Sequence, residues 1–465
     1  MAGDNGMITH DRKLNVQGLG WHLRQLRHHR SPRMAAARTA TAQYYRTMQQ
    51  SFVGLARHGF AAVLIMLFAM HGPADARTDA AFRAWLEALW PDAQALGIGR
   101  RTFDAAISGL EPDRSLPDLI LPGRDTPTMK GQAEFTREPR EYLNASYLDK
   151  LARQGKALAA RYKSDLDAIE KTHGVDRYSV LAIWGRETAF GTYKLPHDAI
   201  RVLATQAYMG RRKDFFRKEL LLAMKMLEDG IPRAKLKSSW AGAIGQTQFL
   251  PSEFYSHARD HDRDGIINLF DSVPDALASA ARQLEAKGWV RGRTWGYEAT
   301  IPAASDCSLE GPPGSRKIRE WVALGYKRPS GRPFPEAVMD DAAYLMSPAG
   351  AYGPSFLALE NFQVIRRYNT SDLYATFVGN LADRIAGGGD FLTPWQPIGP
   401  QRTRIIRGVQ KGLQDAGYGI EKIDGFIGSN TRRQVGAYQK ANGLKIDCWP
   451  TEAVLRHMSK AAERR

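Results

Sequence analysis

Apolar residues recur at steps of three and four along most of the chain, which is the spacing of helices with one buried face. The first such stripe consists of Phe82, Trp85, Leu86, Leu89 and Trp90. Further helices are predicted within residues 142–170, 176–286 and 371–385. Residues 302–354 are richer in Pro, Gly and Ser and lack this periodicity, so loops with short strands are predicted there. The predicted fold class is therefore mainly α.

An uninterrupted apolar run covers residues 60–70, with basic residues before it and Ala-Asp-Ala at 74–76 after it. This is the pattern of a secretory signal, and the run is too short for a transmembrane helix of about 20 residues. Residues 1–76 are predicted to be an N-terminal extension and signal peptide, with cleavage before Arg77. Met34 and Met48 are alternative starts.

A second boundary lies in residues 386–400, where three consecutive glycines are followed by three prolines. Such a composition is typical of a linker between domains. It separates a large domain, 77–385, from a small module, 401–461. In that module, apolar residues at helical spacing flank an Asp-Gly turn at 424–425, which predicts a small three-helix fold.

The chain of 465 residues carries a formal net charge of +16. Its Lys and Arg residues are scattered among Asp and Glu, without a basic run beside interleaved aromatics, so nucleic acid is not predicted as a partner. The two cysteines are Cys307 and Cys448. Neither directly follows the apolar run, so no lipid anchor is expected, and the pair forms either one disulfide or two free thiols.

A candidate catalytic residue lies on a predicted helix. Val180, Ile183, Trp184 and Glu187 fall at positions i, i+3, i+4 and i+7, which predicts a partly buried carboxyl group on the apolar face. Burial disfavours the charged form of a carboxyl group, and a glutamic acid that keeps its proton can donate it to a glycosidic oxygen. The alternative is an ordinary glutamate that faces solvent. Arg186 is adjacent, but neighbouring helix residues point about 100° apart.

Four segments in one order resemble the lytic murein transglycosylases of the membrane-bound B type. They are 184–191 (WGRETAFG), 240–251 (WAGAIGQTQFLP), 264–271 (DGIINLFD) and 361–369 (NFQVIRRYN). The resemblance spans roughly 78–384. It implies a lysozyme-like helical catalytic domain with loop and short-strand insertions.

The same resemblance implies the roles of individual residues. Glu187 is the single catalytic acid and base, Ser239 and Gln248 lie in the glycan groove, and Tyr368 and Tyr374 lie beside the cleavage site. The groove segment combines amides, hydroxyls and aromatics, a mixture that also suits a tight contact between helices. For each tyrosine, packing in the core with a satisfied hydroxyl is the alternative.

The implied reaction cuts the bond between N-acetylmuramic acid and N-acetylglucosamine in peptidoglycan strands, in cell-wall remodelling or recycling. Glu187 protonates the glycosidic oxygen, and the muramoyl 6-hydroxyl then closes a 1,6-anhydro ring, so neither water nor a cofactor is required. Two alternatives remain: a muramidase that uses water and a second carboxylate, and a non-catalytic wall-binding scaffold. The expected location is the periplasm.

One position departs from the family pattern, which suggests a tyrosine where this chain has Gln283. A contact that stacks on a sugar is therefore predicted to be missing. In the small module, 409–418, 424–431 and 435–444 resemble the peptidoglycan-binding type 1 domain over about sixty residues. That resemblance implies binding to the cell wall, which carries acidic groups that suit a basic protein.

Residues 260–271 fit a 12-residue calcium loop with glycine at its sixth position. The predicted ligands are Asp260, Asp262, Asp264, the carbonyl of Ile266, and Asp271. The last is shorter than the usual glutamate, which weakens bidentate coordination. A metal-free turn held by Asx hydrogen bonds is the alternative. Related enzymes carry such a loop, which implies a structural ion rather than a catalytic one.

Overall fold

The computed structural model describes residues 74–121, 137–399 and 402–463. Residues from Thr78 onward form one compact unit. The apolar run 60–70 and the alternative starts Met34 and Met48 lie outside the described residues, whereas residues 74–76 begin the first described helix. None of the helices that the structure describes is both long and apolar enough to cross a membrane.

A first group of helices surrounds one core, and the earliest of them begins four residues before this unit. They are α1 (Ala74–Glu87), α2 (Trp90–Ala95), α3 (Arg100–Ile107), α8 (Ala199–Met209), α9 (Lys213–Glu228) and α10 (Pro251–His257). Phe82, Phe103 and Phe216 are fully buried at its centre. A short antiparallel pair, β1 (His197–Asp198) with β2 (Lys237–Ser238), fixes the start of α8. The predicted apolar stripe on α1 is therefore confirmed as a core face.

A second core surrounds the helix that carries Glu187. Its helices are α4 (Pro139–Tyr142), α5 (Ala145–Arg161), α6 (Lys163–His173), α7 (Arg177–Thr188), α11 (Val273–Ala286), α13 (Glu360–Tyr368) and α14 (Asp372–Ile385). Trp184 of α7 is buried in this core and makes edge-to-face ring contacts with Tyr162 and Phe190. Burial of this much apolar surface around α7 fixes the position of its last turn.

A four-stranded antiparallel sheet interrupts the helices. Its strand order is β3–β6–β5–β4, from Gly296–Ala299, Ser355–Ala358, Ala342–Met346 and Arg316–Lys317. The helix α12 (Ile318–Ala323) covers it and buries Trp321 against the sheet. The loops and short strands predicted for 302–354 are therefore confirmed in outline. The helix α12 was not predicted there, because its six residues are too few to show a helical periodicity.

The small module consists of α15 (Thr403–Asp415), α16 (Ser429–Ala441) and α17 (Glu452–Ala462). Its own small core includes Val409, Leu413 and Val435. The turn before α16 is held by Gln410, whose side-chain oxygen accepts a hydrogen bond from the Gly425 N–H at 2.8 Å. The predicted three-helix fold is confirmed.

Cys307 and Cys448 are joined by a disulfide, with their Cα atoms 6.1 Å apart. Cys307 lies in the short helical turn Cys307–Leu309 beside the sheet, and Cys448 lies between α16 and α17. The structure thus decides the question that the sequence left open. The pairing could not be predicted from the sequence, because the two cysteines are 141 residues apart and only the tertiary fold brings them together.

A buried carboxyl group makes the stability of this fold sensitive to pH. Asp383 on α14 accepts a hydrogen bond from Trp295 Nε1 at 2.9 Å. Burial raises the pKa of Asp383 to about 7, and the nearby charge of Asp176 raises it too, against the lowering effect of the Trp295 hydrogen bond. The folded state therefore holds a proton that the unfolded chain releases near pH 3.8.

The stabilising effect of that proton is complete below about pH 4 and is lost as the pH rises through about 7. Asp383→Asn keeps an acceptor for Trp295 without a charge, so we expect the variant to be more stable than wild type at pH 8 by about 2 kcal/mol and similar at pH 4. Urea unfolding at both pH values measures this. Asp415→Asn, an exposed control, should change stability by less than about 0.5 kcal/mol. An Asp383→Asn effect that is equal at both pH values would contradict the assignment.

Candidate active site

The helix α7 begins at a strong cap and crosses the second core. The carboxylate of Asp176 accepts hydrogen bonds from the N–H groups of Tyr178 and Ser179 at 3.1 and 2.9 Å, as an N-cap should. Every residue from Ser179 to Gly185 is buried, so α7 is enclosed on all sides. The sequence prediction of a single apolar face was therefore too narrow, because helices pack around α7 from several directions.

Glu187 lies in the last turn of α7 and is partly buried, as predicted. Tyr374 of α14 donates a hydrogen bond from its hydroxyl to Glu187 Oε1. Burial raises the pKa of Tyr374 well above 10, and the Glu187 carboxylate raises it further. The phenol therefore stays protonated and holds one oxygen of Glu187 in a fixed place. Tyr374 was predicted near the cleavage site, and the structure brings it into contact with Glu187.

Tyr368 of α13 approaches the same place from another helix. Its hydroxyl donates to the backbone oxygen of Thr247, which ties α13 to the predicted groove segment. Burial raises the pKa of Tyr368 well above 10, and the charges of Glu187 and Glu253 raise it as well. The structure thus brings both predicted tyrosines near Glu187. Each also packs in a core, as the alternative interpretation expected, and a role beside the cleavage site stays a prediction.

Arg186 and Tyr142 complete one side of the site. The guanidinium of Arg186 donates to the Tyr142 hydroxyl from Nε at 3.1 Å and from Nη2 at 2.7 Å. It also lies 5.6 Å from the ring centre of Tyr374. Burial lowers the pKa of Arg186, but Tyr142 and Glu187 together raise it above its ordinary value, so the group stays charged. Tyr142 was missed because no motif in its short helix α4 marks it.

The segment 240–251 is bound directly to α7. Thr188 Oγ1 donates to the backbone oxygen of Gln246 at 2.6 Å, and Gln246 Oε1 accepts from Trp184 Nε1 at 3.0 Å. Gly191 has a φ of +74°, and a Cβ there would lie 2.5 Å from Gln246 Oε1, so only glycine fits. Gln246 was not singled out from the sequence, although it lies inside the motif that carried the resemblance.

Ser239 and Gln248 are partly exposed in the same segment. The Ser239 hydroxyl accepts from the Ala243 N–H at 3.2 Å. Gln248 has a φ of +57°, and its amide donates to the backbone oxygens of Ala243 at 3.3 Å and Gly245 at 3.1 Å. Both side chains therefore shape the loop. Their contact with a glycan remains a prediction.

Gln283 has no surface with which to meet a sugar. It is 1% exposed on α11, and its amide donates to Glu253 Oε1 at 2.5 Å. Lys287 Nζ lies 3.5 Å from the same oxygen. Position 283 therefore serves the packing of α10 against α11 in this chain, which agrees with the absence of a stacking contact from this residue.

The acidic loop brings together three of its predicted ligands. Oxygen atoms of Asp260, Asp262 and Asp264 all lie within 4.8 Å of one another. Asp260 Oδ1 is buried and has no hydrogen-bond partner among the described residues, so one oxygen is left for a cation. A set of carboxylate oxygens fits a hard cation such as Ca²⁺.

The two other predicted ligands, Asp271 and Ile266, make contacts within the protein. The carboxylate of Asp271 forms an ion pair with Lys235 at 2.5 Å and does not join the group of three. The Asp271 carboxylate is therefore engaged by Lys235 in this structure, and its predicted role as a ligand stays a prediction. The Ile266 N–H donates to Asp264 Oδ1 at 2.8 Å, which is the Asx hydrogen bond of a metal-free turn.

Two known protein families match parts of this chain. Residues 81–383 match the family described as transglycosylase SLT domain. The chain belongs to this family. Residues 405–458 match the family described as putative peptidoglycan binding domain. The two matches fall on the large helical region and on the three-helix module.

Individual relatives agree. The chain is 32% identical over 235 residues to membrane-bound lytic murein transglycosylase B of Escherichia coli strain K12, a match that covers 49% of this chain and 61% of that protein. A crystal structure of SltB3 from Pseudomonas aeruginosa in complex with NAG-anhNAM-pentapeptide is 37% identical, with a TM-score of 0.72 over 81% of this chain and 99% of the other. Soluble SltB1 of the same organism is 27% identical, with a TM-score of 0.53 over 66% and 98% of the two chains.

The hydrogen bond to Glu187 is the most specific feature of the site and can be tested alone. We expect Tyr374→Phe to lower kcat on peptidoglycan strands about tenfold or more with little change in KM, because one oxygen of Glu187 loses its fixed donor. Tyr344→Phe is the matched control, since Tyr344 is also buried and its hydroxyl has no hydrogen-bond partner among the described residues. Equal losses in the two variants would show that the Tyr374 hydroxyl has no special role.

Proposed function

We propose that this protein is a lytic transglycosylase that cuts the bond between N-acetylmuramic acid and N-acetylglucosamine in peptidoglycan and leaves a 1,6-anhydro end. The observation that carries the proposal is Glu187 at the end of an enclosed helix, with Tyr374 fixing one carboxyl oxygen. Such a group can give and take one proton at a fixed position.

In the proposed reaction, the acid form of Glu187 gives its proton to the glycosidic oxygen, and the bond from that oxygen to C1 breaks. The muramoyl 6-hydroxyl oxygen then bonds to C1, and its proton passes to the Glu187 carboxylate. The acid form is regenerated, so one carboxyl group suffices and no water is consumed. Tyr374 orients the group, and the charged guanidinium of Arg186 lies close enough to interact with it.

The alternative muramidase would need a second free carboxylate near Glu187. Glu253 is a carboxylate whose charge also reaches Tyr368. It is occupied, however, because it accepts hydrogen bonds from the Leu250 N–H at 3.0 Å and from Gln283 at 2.5 Å. This engagement favours transglycosylation over hydrolysis.

The relatives support the substrate class. One SltB3 structure holds NAG-anhNAM-pentapeptide and another holds NAG-NAM-pentapeptide. We therefore assign peptidoglycan strands as the substrate and the C-terminal module, 401–461, as a second contact with the wall. In this proposal, Ser239 and Gln248 contact the glycan, and the apolar run 60–70 exports the protein to the periplasm.

Digestion of purified peptidoglycan, with mass spectrometry of the soluble products, tests the reaction. We expect muramic ends in the 1,6-anhydro form from the wild-type protein and a loss of at least about a thousandfold in rate for Glu187→Gln, which cannot transfer the proton. Glu285→Gln, a change of an exposed glutamate elsewhere in the helical domain, is the matched control. Reducing muramic ends would overturn transglycosylation, and an active Glu187→Gln variant would overturn the role of Glu187.

We further propose that the acidic loop binds a structural calcium ion through Asp260, Asp262 and Asp264. Calcium at 1 mM-scale concentration, roughly the range of extracellular calcium sites, should then raise the Tm of the wild-type protein by a few degrees, about 2–4 °C, and a chelator should reverse the rise. Asp262→Asn should abolish the response. Asp271→Asn should keep it, because Lys235 holds that carboxylate. Loss of the response in both variants would show that Asp271 is a ligand after all, and no response in wild type would remove the site.

A further inference from the structure

The C-terminal module is fastened to the sheet of the catalytic domain. The disulfide between Cys307 and Cys448 joins them covalently. Close by, the Tyr352 hydroxyl donates to Asp447 Oδ2 at 2.8 Å, and the Ala351 N–H donates to the Asp447 backbone oxygen at 3.0 Å. These contacts hold the module against the sheet at one place, so α16 has a defined position relative to the catalytic domain.

Arg432 of α16 extends from the module into a fully buried ionic contact. Its Nε lies 3.0 Å from Glu310 Oε2, and its Nη2 lies 2.6 Å from Glu310 Oε1. Glu310 is itself fixed, since its Oε1 accepts from the Ser347 N–H at 2.9 Å. Both side chains are almost completely shielded from solvent. A bidentate pair of this kind allows little freedom in the position of the guanidinium.

The same guanidinium reaches the start of α14. Arg432 Nη2 lies 3.0 Å from Asp372 Oδ2, while Arg366 Nε lies 2.9 Å from Asp372 Oδ1. Asp372 is the first residue of α14, next to the N-cap Ser371, which accepts from the Tyr374 N–H at 3.2 Å. Two cations therefore fix the first turn of the helix, and one of them comes from the C-terminal module.

Tyr374 belongs to that first turn, two residues after Asp372, and its hydroxyl donates to Glu187. We propose that Arg432 is a positioning residue of the active site, which sets the start of α14 through Asp372 and thereby the place of the Tyr374 hydroxyl on Glu187. The inference rests on the proposed function. In this account the C-terminal module is a structural part of the catalytic centre as well as a contact with the wall.

Attachment of the module to the catalytic domain would not by itself need the buried contact of Arg432 with Glu310. The disulfide already attaches the module, and the exposed pair of Lys440 with Asp306 adds a second surface contact. Burying Arg432 and Glu310 costs desolvation energy, which the pair recovers only with good geometry. The pair holds the Arg432 guanidinium in a definite position. There, Arg432 and Arg366 both contact Asp372.

Two sets of variants remove the contact between Arg432 and Asp372, one by changing the module and the other by changing α14. Arg432→Gln combined with Glu310→Gln removes the module's cation without leaving a buried charge unpaired, and Asp372→Asn removes the carboxylate but keeps the size of the side chain. Lys440→Gln is the matched control, because it removes an ionic contact at the same interface that does not reach α14. Circular dichroism and thermal unfolding establish that each full-length variant is folded.

With soluble uncross-linked peptidoglycan strands as substrate, we expect both sets to lower kcat about tenfold with KM within about twofold, and Lys440→Gln to retain wild-type kcat within about twofold. The decisive measurement is the kcat of the same substitutions made in the Tyr374→Phe variant. There, the Arg432 and Asp372 substitutions should lower kcat by less than about twofold, because the hydroxyl that they position is already absent.

Wild-type kcat in the folded variants would overturn the inference, and so would an equal loss with and without the Tyr374 hydroxyl. If the paired substitution prevents folding, Asp372→Asn decides alone. Absence of anhydro products from the wild-type protein would overturn the proposed function and this inference with it, whereas active wild type with fully active variants would overturn only the inference.

Discussion

The hydrogen bond from Tyr374 to Glu187 is the contact on which the rest of the site depends. It joins α7, which is enclosed in the core, to α14, which begins where the catalytic domain meets the C-terminal module. Because Tyr374 is buried, its hydroxyl has few alternatives to Glu187. A carboxyl group held in this way is preorganised for proton transfer, and preorganisation reduces the rearrangement needed during the reaction.

The protein surrounds this contact with charges that are themselves tightly paired. Arg186 is held by Tyr142 beside Glu187, and Arg432 is held by Glu310 at the far end of the connection. Each buried cation is matched by nearby oxygen atoms, as the high cost of an isolated buried charge requires. The geometry of the site is thus maintained by contacts that involve three separate cores: the helical core around α7, the core of the sheet, and the core of the module.

Much of this could be predicted from the sequence. The stripe on α1, the three helices of the module and the partial burial of Glu187 follow from the apolar periodicity of short segments of the chain. The prediction that Tyr368 and Tyr374 lie near Glu187 required the family resemblance, since spacing alone describes a core tyrosine equally well, and their roles in the reaction stay predictions. The pairing of Cys307 with Cys448 and the contact of Arg432 with Asp372 depend on tertiary packing between distant segments, for which one sequence offers no signal. The ion pair between Lys235 and Asp271 likewise joins two distant segments, and no loop pattern contains it.

In the proposed reaction, the single carboxyl group of Glu187 performs both proton transfers and no water is consumed. Digestion of peptidoglycan in water enriched in heavy oxygen, followed by mass spectrometry of the muramic ends, tests it most directly. The account predicts that the new ends carry no heavy oxygen, because the attacking oxygen belongs to the muramoyl 6-hydroxyl. Incorporation of one heavy oxygen at each new end would contradict it and establish hydrolysis.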